Sequence, residues 1–339
     1  MTEEVLILGA GIAGLSLART LVSGGRPVRL LDKGKKPGGR CASRRLQDTV
    51  FDYGPMFLHG SDPELLKSLH GLGPTHLGWP ARVAGQGAPC QPGSLERGET
   101  RLAPEGGVNV WAQHLADGLP MSLGTEVTHL GLEDDRITVF AGKEQWSART
   151  VVVTAPAPQT RRLLGGLPGR AIAAADYLLG LAPLVPCLSV ALLYPAEAPD
   201  PGWDLHYPND TSVLTLLADE RSKRPSGRAR AIVLQASPRW SMAHLDEPVE
   251  VWTAALHEAA RPLHPALTLV PLAQHAHRWR YARVHGGPGL NAPILQPLPN
   301  GALLGLAGEA FDPKGGLEGA YRSGLKLGRR LLAGPEGTS

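Results

Sequence analysis

The first forty residues alternate between short apolar runs and glycine-rich turns. The run from Val5 to Leu8 is fully apolar, as a buried parallel strand requires, and apolar residues then recur at helical spacing from Ile12 to Leu21. Gly24 and Gly25 end this helix, and a second apolar run follows at Val28 to Leu31. The pattern predicts a strand, a helix and a second, parallel strand.

The central and C-terminal parts continue the alternation of strands and helices. Residues 105–118 have helical spacing, and residues 124–160 have the pattern of a three-stranded meander that leads into a buried strand at Val151 to Thr154. An apolar run at Leu303 to Ala307 precedes a helix that begins at about Leu317. The two ends of the chain therefore predict an α/β domain.

A different pattern occupies residues 160–295. Apolar strands are predicted at 186–194 and 230–237, a helix at 248–263, and a strand at 274–284 that is rich in aromatic and basic residues. This change indicates a second domain, which the Gly- and Pro-rich residues 59–104 are expected to join.

The turn after the first strand has the spacing G-x-G-x-x-G, at Gly9, Gly11 and Gly14. The first glycine permits a tight turn, the second lets the backbone approach a pyrophosphate, and the third lets helix and strand pack closely. The N–H groups at the start of the helix are available to the phosphates. Asp32 closes the second strand, where a carboxylate accepts hydrogen bonds from a ribose. The segment predicts a dinucleotide-binding fold.

The overall charge gives no reason to expect a nucleic-acid partner. The 339 residues include 42% hydrophobic and 19% charged residues, and the net charge is only +3. The basic pairs Arg44–Arg45, Arg161–Arg162 and Arg329–Arg330 are far apart along the chain, and we interpret them as solvated surface. Local arginines still suit an anionic small molecule.

The cysteines Cys41, Cys90 and Cys187 show neither metal-ligand spacing nor a disulfide framework, so no metal site is predicted. No basic segment precedes the first apolar run, and no apolar stretch has membrane-spanning length. We therefore expect a reduced, cytoplasmic protein that makes no use of a membrane.

Two segments after the second strand carry a family resemblance. Gly38-Gly39-Arg40 and the stretch FDYGPMF at 51–57 resemble the flavin-containing amine oxidase superfamily. In that superfamily a G-G-R segment covers the FAD and its arginine approaches the pyrophosphate, a role that suits a planar guanidinium. The resemblance implies this role for Arg40.

The C-terminal stretch LLGLAGEAFDPKGGLEGAYRSG is similar to the same superfamily. There an acid after the strand contacts the ribityl chain, and the next helix begins beside the flavin pyrimidine, where its positive end favours negative charge on the reduced ring. The resemblance implies these roles for Glu309 and for the helix start. Gly319, Ala320, Ser323 and Gly324 form a small-residue face on that helix, which indicates close packing, a place beside the flavin, or both.

The resemblance implies non-covalent FAD, because the tail has no cysteine for a covalent link. It also implies a Rossmann-type FAD-binding domain of residues 1–58, 105–160 and 296–339, with an inserted α+β substrate domain of residues 59–104 and 161–295. The implied cofactor-binding residues are Gly9, Gly11, Ile12, Ala13, Gly14, Asp32, Lys33, Gly39, Arg40, Gly54, Pro55, Met56, Val127, Ala155, Pro156, Gly308, Glu309, Leu317, Glu318, Gly319 and Ala320.

Within the superfamily, the chain resembles renalases in their short bacterial form. The matching pieces include GGRCASRR, APAPQT, PCLSVALLY and HRWRYA, and they follow one another through most of the chain. The resemblance implies oxidation of the 1,2- and 1,6-dihydro isomers of NAD(P)H to NAD(P)+, with reoxidation by O2 to H2O2. Many amine oxidases have a lysine over the flavin, and the matching stretch Pro186 to Tyr194 has none, as in renalase-like proteins.

Hydride transfer from a dihydropyridine needs no general base, so the protein mainly has to align two rings. Trp279 and Tyr281 lie two residues apart on a predicted strand and therefore share a face, which predicts a wall for a nicotinamide ring facing the flavin or, alternatively, a core face. The other candidates for the substrate pocket are Arg280, Tyr194, His206, Tyr207 and Trp240, and Arg278 and Arg283 are further candidates for substrate phosphates.

Two other functions stay open at this point. An FAD-dependent oxidase of amines or other small molecules would be reduced by amines, and a flavin-binding sensor of redox state or NAD(P) would bind FAD without turnover. We expect a monomer or a weak dimer that acts on a small molecule and O2.

Overall fold

The structure is a computed structural model that describes residues 1–89, 93–224, 229–285 and 290–334, so Cys90 lies outside the described residues. The strands are β1 Thr2–Leu8, β2 Val28–Asp32, β3 Ser43–Leu46, β4 Thr49–Asp52, β5 Leu58–Gly60, β6 Thr75–Leu77, β7 Val83–Ala84, β8 Thr100–Pro104, β9 Met121–Leu123, β10 His129–Glu133, β11 Arg136–Ala141, β12 Glu144–Val153, β13 Leu184–Pro195, β14 Leu205–His206, β15 Leu214–Asp219, β16 Ala229–Ala236, β17 Ala273–Val284, β18 Ile294–Pro297 and β19 Leu303–Leu306. The α-helices are α1 Ile12–Ser23, α2 Pro63–Ser68, α3 Asn109–Ala116, α4 Ala157–Leu164, α5 Arg170–Gly180, α6 Pro238–Ala243, α7 Val249–Ala260 and α8 Gly316–Ala333.

The chain forms two compact units, and each contains several segments of the sequence. The first comprises Met1–Gly39, Trp111–Leu184 and the chain from Val284 onward. The second comprises Arg40–Val110 and Val185–Arg283.

The first unit is built on a parallel sheet. β9, β2, β1, β12 and β19 lie side by side in parallel, with the predicted strand–helix–strand unit β1–α1–β2 at the centre. Leu6 and Val151 on the central strands have no exposed surface, which explains their uniformly apolar sequence. This arrangement confirms the predicted Rossmann-type α/β fold.

The predicted meander is present, but its last strand differs from the prediction. β10, β11 and β12 pair in antiparallel fashion, and Asp134 in the first turn has the positive φ of 49° that a tight turn requires. The strand predicted separately at Val151 to Thr154 is the second half of β12. Since no glycine or proline interrupts residues 144–153, one strand pairs with β11 at its start and with β1 and β19 at its end.

The predicted helix at 105–118 is shorter in the structure, where α3 spans Asn109–Ala116. Gly106 and Gly107 precede it, and Gly107 has a φ of 95°, which the right-handed helix cannot include. The glycine pair therefore delays the start of the helix.

The second unit contains a mainly antiparallel sheet in the order β17-β13-β16-β15-β14-β7. The predicted strands at 186–194, 230–237 and 274–284 correspond to β13, β16 and β17, and the predicted helix at 248–263 corresponds to α7. Trp252 and Leu256 of α7 belong to a buried cluster with Leu192 and Leu234 of the sheet. A hairpin of β3 and β4 and a small sheet in the order β5-β8-β6 complete this unit.

The compact units differ from the predicted domain boundaries at four places. Residues 105–110, predicted in the FAD-binding domain, group with the second unit. Residues 40–58 group with the second unit, since Asp52 at the end of β4 is bonded to buried groups of residues 108 and 220–224. Residues 161–184 group with the first unit, because Leu163 and Ile172 enter its core. Residues 284–295 do so as well, because β18 pairs with β19.

Two observations bear on the cysteines and on membranes. Cys41 and Cys187 are buried free thiols, and burial raises the pKa of Cys41 well above its usual range. Within the described ranges, no helix has both the length and the apolar character needed to cross a lipid bilayer.

Candidate functional site

The loop between β1 and α1 has the geometry that its glycines predict. Gly9 has a φ of 117°, and a Cβ atom there would lie 2.6 Å from the Thr154 hydroxyl oxygen. A Cβ at Gly14 would lie 2.0 Å from the Gly9 carbonyl oxygen, so no side chain fits between helix and turn. A Cβ at Gly11, which precedes the first residue of α1, would meet no protein atom within 4 Å. Gly11 thus borders open space at the helix N-terminus, where Ile12 and Ala13 begin the first turn, as an anion site requires.

Asp32 lies at the end of β2 beside this loop. Its Oδ2 accepts a hydrogen bond of 2.6 Å from the Ala10 N–H, and its Oδ1 accepts one of 2.6 Å from the Gly34 N–H. Each carboxylate oxygen can accept more than one hydrogen bond, so the partly exposed group remains able to bind ribose hydroxyls. Lys33 is exposed, with its ammonium 3.8 Å from the Glu126 carboxylate.

The glycine pair after β2 lies against the same loop. The Gly38 N–H donates to the Ala10 carbonyl at 2.8 Å, and Gly38 has a φ of 120°. Gly39 has a φ of 55°, and a Cβ there would lie 3.5 Å from the Gly11 Cα. Both glycines therefore allow a second backbone segment to approach the dinucleotide loop.

The C-terminal motif forms a connection from β19 to α8. The Gly308 N–H donates to the Ser323 hydroxyl at 3.0 Å, and this hydroxyl donates to the Ala320 carbonyl at 2.9 Å. Glu309 is 8% exposed, and its Oε1 accepts a hydrogen bond of 3.0 Å from the Val284 N–H. Ser323 thereby fixes the position of the loop that carries the predicted ribityl-binding acid.

Helix α8 begins at Gly316, close to the predicted start, after Gly315 with a φ of 61°. Leu317 at this end is partly exposed, whereas Glu318, Gly319 and Ala320 are buried. The small-residue face packs against α1, since a Cβ at Gly324 would lie 2.2 Å from the Ala13 carbonyl oxygen. Close packing against α1 therefore explains Gly324, whereas a Cβ at Gly319 would lie 3.5 Å from the Glu309 carbonyl oxygen.

Two further loops carry Val127 and the pair Ala155–Pro156, which the family resemblance implies as cofactor-binding residues. Within the described residues, neither the N–H nor the C=O of Val127 makes a hydrogen bond, which leaves both available to an adenine. Ala155 and Pro156 lead into α4, and the Ala155 carbonyl accepts a hydrogen bond of 2.9 Å from the Thr160 hydroxyl. The open space at Gly11, the free backbone at Val127 and the Asp32 carboxylate together fit an adenine dinucleotide.

In the second unit, side chains hold the segment Tyr53–Met56 through its carbonyl groups. The Trp279 indole N–H donates to the Tyr53 carbonyl at 2.8 Å, and the Gln235 amide donates to the Gly54 carbonyl at 2.7 Å. The Lys223 ammonium donates to the Met56 carbonyl. A Cβ at Gly54 would lie 2.3 Å from the Arg40 carbonyl oxygen, so the backbone of Gly54, which precedes Pro55, lies directly against the backbone of Arg40.

Arg40 itself donates a hydrogen bond of 3.2 Å from Nη1 to the Ala282 carbonyl on β17. This contact fixes part of the guanidinium group within the second unit. The predicted contacts of Arg40, Gly54, Pro55 and Met56 with the cofactor stay predictions.

A buried cluster of four charged residues lies under this segment, and sequence reasoning missed it. Lys223 has no exposed side-chain surface, and its ammonium lies 3.0 Å from the Asp52 carboxylate and 2.6 Å from that of Glu220. Arg224 pairs with both carboxylates, and the Lys223 ammonium also lies 4.3 Å from the ring centroid of Trp79. Although burial opposes ionisation, Lys223 and Arg224 lower the pKa of Asp52 to about 2. Burial raises the pKa of Glu220, whereas its contacts with Lys223 and Arg224 favour the ionised form, so the cluster sets two cations against two carboxyl groups in the interior.

Four rings meet on one face of β17. Tyr53 stacks on Trp279 with ring centroids 5.4 Å apart and an interplanar angle of 21°. His277 lies 4.1 Å from Trp279 and 5.0 Å from Tyr53, and His275 lies 5.2 Å from Tyr53. We call Tyr53, His275, His277 and Trp279 the ring face. Of these four rings, the sequence pattern predicts only Trp279 as a pocket residue, although His275 and His277 alternate with it along β17.

Burial keeps the imidazoles of the ring face neutral. Desolvation, aided by the charge of Arg44, lowers the pKa of His275 to about 4 and also lowers that of His277. Within the described residues, neither imidazole forms a hydrogen bond, and the buried Nε2 of His275 has no partner. Burial also raises the pKa of Tyr53. The ring face therefore presents uncharged polar groups at neutral pH.

The other predicted pocket residues lie in several places. Tyr281 continues the alternation along β17 and is partly buried, without a ring contact among the described residues, while the exposed Arg280 pairs with Asp246 at 2.6 Å. Arg278 donates to the Glu247 carbonyl at 2.7 Å. His206 lies on β14, where burial lowers its pKa, and Trp240 stacks on His244 with centroids 4.0 Å apart.

Tyr194 and Tyr207 differ from the expectation of pocket-lining residues. Tyr194 has no exposed surface, and its hydroxyl lies 3.2 Å from the Nε2 of His257. Tyr207 is 2% exposed and belongs to a different buried cluster, with Phe57 and Leu205. Both rings are therefore core residues of the second unit.

Comparison with known protein families identifies the architecture. A model described as flavin containing amine oxidoreductase matches residues 87–332, and a model described as an NAD(P)-binding Rossmann-like domain matches residues 7–71. The chain belongs to the flavin-containing amine oxidoreductase family. Its cofactor is therefore FAD, in agreement with the dinucleotide-binding geometry of the first unit.

Curated relatives are similar over a short segment. Putrescine oxidase from Kocuria rosea is 37% identical over 71 residues, which are 21% of this chain and 15% of that protein. Phytoene desaturase from Pantoea ananas is 39% identical over 70 residues, which are 21% of this chain and 14% of that protein. The matched segment thus spans about a seventh of either relative's length.

Solved structures are similar over the whole fold. Putrescine oxidase bound to putrescine superposes with a TM-score of 0.72 at 13% identity and covers 98% of this chain and 99% of its own. Cyclohexylamine oxidase from Brevibacterium oxydans superposes with a TM-score of 0.72 at 15% identity and the same coverage. At this identity the likeness shows the fold.

Proposed function

We propose that this protein is an FAD-dependent oxidase of small nitrogen-containing molecules, with amines as the first candidate substrates. One observation carries the proposal. In a chain of the amine oxidoreductase family, the open space at Gly11, the Asp32 carboxylate and the free backbone of Val127 fit an adenine dinucleotide. The named likenesses to putrescine oxidase and cyclohexylamine oxidase support amines as donors. When bound, FAD supplies a two-electron acceptor that takes a hydride from the donor and passes the electrons to O2.

The overall reaction balances without a further reagent. A primary amine loses a hydride and a proton and becomes an imine, which water hydrolyses, and O2 gains two electrons and two protons and leaves as H2O2. The residues of the first unit position the cofactor. Asp32 binds its ribose, the start of α1 binds its pyrophosphate, and the N-terminus of α8 stabilises negative charge that develops during the reaction.

The ring face favours a second, finer candidate, which is the renalase-like oxidation of 1,2- and 1,6-dihydro isomers of NAD(P)H. Tyr53 and Trp279 are stacked aromatic rings that suit a planar heterocycle, and the neutral imidazoles beside them suit its carboxamide. Within the described residues, no carboxylate forms a hydrogen bond or an ion pair with these rings, which suits an uncharged heterocycle. The donor then loses a hydride and becomes an aromatic pyridinium, and O2 takes up the two electrons and the proton of that hydride, with one proton from water, to form H2O2.

Oxygen consumption distinguishes these candidates. The purified holoenzyme is given putrescine, cyclohexylamine and other primary amines, and separately a mixture of dihydronicotinamide isomers, and O2 uptake, H2O2 and organic products are measured. Oxidation of amines to carbonyl compounds supports the first candidate, and formation of NAD(P)+ from the isomers supports the second. If every donor leaves the O2 concentration unchanged, a flavin-binding sensor replaces both candidates.

A further inference from the structure

Arg44 lies on the same side of the β3–β4 hairpin as Phe51, whose ring contacts the ring face. β3 and β4 pair in antiparallel register with Arg44 opposite Phe51 and Arg45 opposite Val50. Directly opposed residues in such a pair project from the same face, so Arg44 and Phe51 share one face and Arg45 and Val50 share the other. The Phe51 ring lies 6.3 Å from that of Tyr53 and 5.7 Å from that of His275.

The guanidinium of Arg44 is available for a ligand. Arg44 is exposed, and within the described part of the chain its side chain forms no hydrogen bond or ion pair. Its positive charge is felt at the ring face, where it lowers the pKa of both His275 and His277. Arg278 and Arg280 of β17, by contrast, already bind the Glu247 carbonyl and the Asp246 carboxylate.

The ring face also carries polar atoms that await partners. Among the described residues, the hydroxyl of Tyr53 and the ring nitrogens of His275 and His277 form no hydrogen bonds, and the Nε2 of His275 is buried. Buried polar atoms are rarely left without a partner. These groups are complementary to a planar polar ring that bears a phosphate. The stacked rings and the neutral donors and acceptors suit the polar ring, and the unpaired Arg44 on the same side suits the phosphate.

We propose that Arg44 binds a phosphate of the substrate and that the ring face binds its heterocycle, so that the substrate is a nucleotide. This inference rests on the dihydronicotinamide candidate of the proposed function and adds a specificity-determining residue to it. Arginine suits the role because its planar fork forms paired hydrogen bonds with phosphate oxygens. The sequence pattern had placed Arg44 with ordinary surface charge.

Two probes that differ by one phosphate test the inference. Binding of nicotinamide mononucleotide and of nicotinamide riboside to the FAD-loaded protein is measured by titration calorimetry at low and high salt. The variants are Arg44→Gln, Arg44→Lys and the matched control Arg45→Gln, whose side chain projects from the other face of the hairpin and contacts the Asp48 carbonyl at 3.4 Å. Arg44 and Arg45 are both exposed, and thermal unfolding checks that each variant is folded.

We expect the wild-type protein to bind the mononucleotide about tenfold to a hundredfold more tightly than the riboside, since a hydrogen bond to a charged group contributes about 1.5–3 kcal/mol. Arg44→Gln should abolish this preference and leave riboside binding unchanged, Arg44→Lys should restore part of it, and Arg45→Gln should preserve it. The wild-type preference should also weaken with salt.

Three results would overturn the inference: an unchanged preference in Arg44→Gln, an equal loss in Arg45→Gln, or no binding of either probe by the wild-type protein. Such a failure is separate from failure of the proposed function. Oxidation of the dihydronicotinamide isomers by the wild-type protein would preserve that function even if Arg44 had no effect on binding.

Discussion

The indole N–H of Trp279 donates a hydrogen bond of 2.8 Å to the carbonyl of Tyr53, and the two rings stack with centroids 5.4 Å apart. A single side chain thus fixes both the backbone and the ring of Tyr53. Since the segment Tyr53–Met56 has no regular secondary structure, side-chain donors such as Trp279 and Lys223 determine its conformation.

Replacement of Trp279 tests the ring face as a substrate-binding surface. Trp279→Leu removes the stacked ring, and we expect KM for the best donor to rise about twofold to tenfold, since an aromatic pair contributes about 0.5–1.5 kcal/mol. Trp279→Phe keeps a ring and should have a smaller effect. Steady-state kinetics measure both, with Trp240→Leu as the control because the Trp240 ring stacks on His244 instead. Equal effects of Trp279→Leu and Trp240→Leu would contradict the assignment.

The dinucleotide loop predicts different results for two glycine variants. A Cβ at Gly11 meets no protein atom within 4 Å, so Gly11→Ala should fold normally but contain less FAD, because the methyl group intrudes on the pyrophosphate. A Cβ at Gly14 would lie 2.0 Å from the Gly9 carbonyl oxygen, so Gly14→Ala should lower the melting temperature of the apoprotein. FAD content and thermal unfolding of the apoproteins measure the two effects. Full FAD content in Gly11→Ala would show that the cofactor lies elsewhere.

His275 predicts a specific dependence of stability on pH. The unfolded chain protonates this imidazole near pH 6.5, whereas burial and Arg44 lower its folded-state pKa to about 4. The unfolded state therefore binds more protons between these values, and the free energy of unfolding falls as pH falls from 6.5 towards 4. Urea unfolding of His275→Gln should show a weaker fall over this range than the wild-type protein, while the exposed-site control His70→Gln should not. An identical slope in His275→Gln and wild type would refute the prediction.

The buried charge cluster predicts a large loss of stability when one partner is removed. Lys223→Met leaves Asp52 and Glu220 with Arg224 as their remaining cation, and we expect it to lower the free energy of unfolding by about 3–5 kcal/mol. The double variant Lys223→Met/Glu220→Gln removes one charge of each sign and should be less destabilised than the single variant. Denaturant unfolding measures both values. A double variant less stable than Lys223→Met would contradict the charge-balance explanation.

Much of the first unit could be predicted from the sequence because its determinants are local. The run Val5 to Leu8, the glycines after it and Asp32 lie within one short segment, and their spacing alone dictates strand, turn and helix. The structure confirms each of these elements. The helix predicted at 105–118 is too long. The apolar periodicity extends over this whole range, but the two glycines at its start delay the helix until Asn109.

Most of the substrate-side arrangement could not be predicted, because it depends on pairs far apart in sequence. Tyr53 and Trp279 are separated by 226 positions, and Asp52 and Lys223 by 171. No spacing rule joins such residues, so the charge cluster was missed and Arg44 was taken as ordinary surface. The sequence predicts Tyr194 and Tyr207 in a pocket because aromatic residues suit ligand sites as well as cores. Only their burial in the structure, with 0% and 2% of their surface exposed, assigns them to the core.

The most direct test of the central claim is anaerobic stopped-flow absorbance of the purified protein. The holoenzyme is mixed without O2 with the amine panel and, separately, with isomerised NAD(P)H, and the visible flavin absorbance is followed before air is admitted. We expect rapid bleaching by at least one of these donors and, once air is admitted, recovery of the colour with release of H2O2. A protein that carries FAD and is bleached by none of them would contradict the assignment as an oxidase of nitrogen-containing donors.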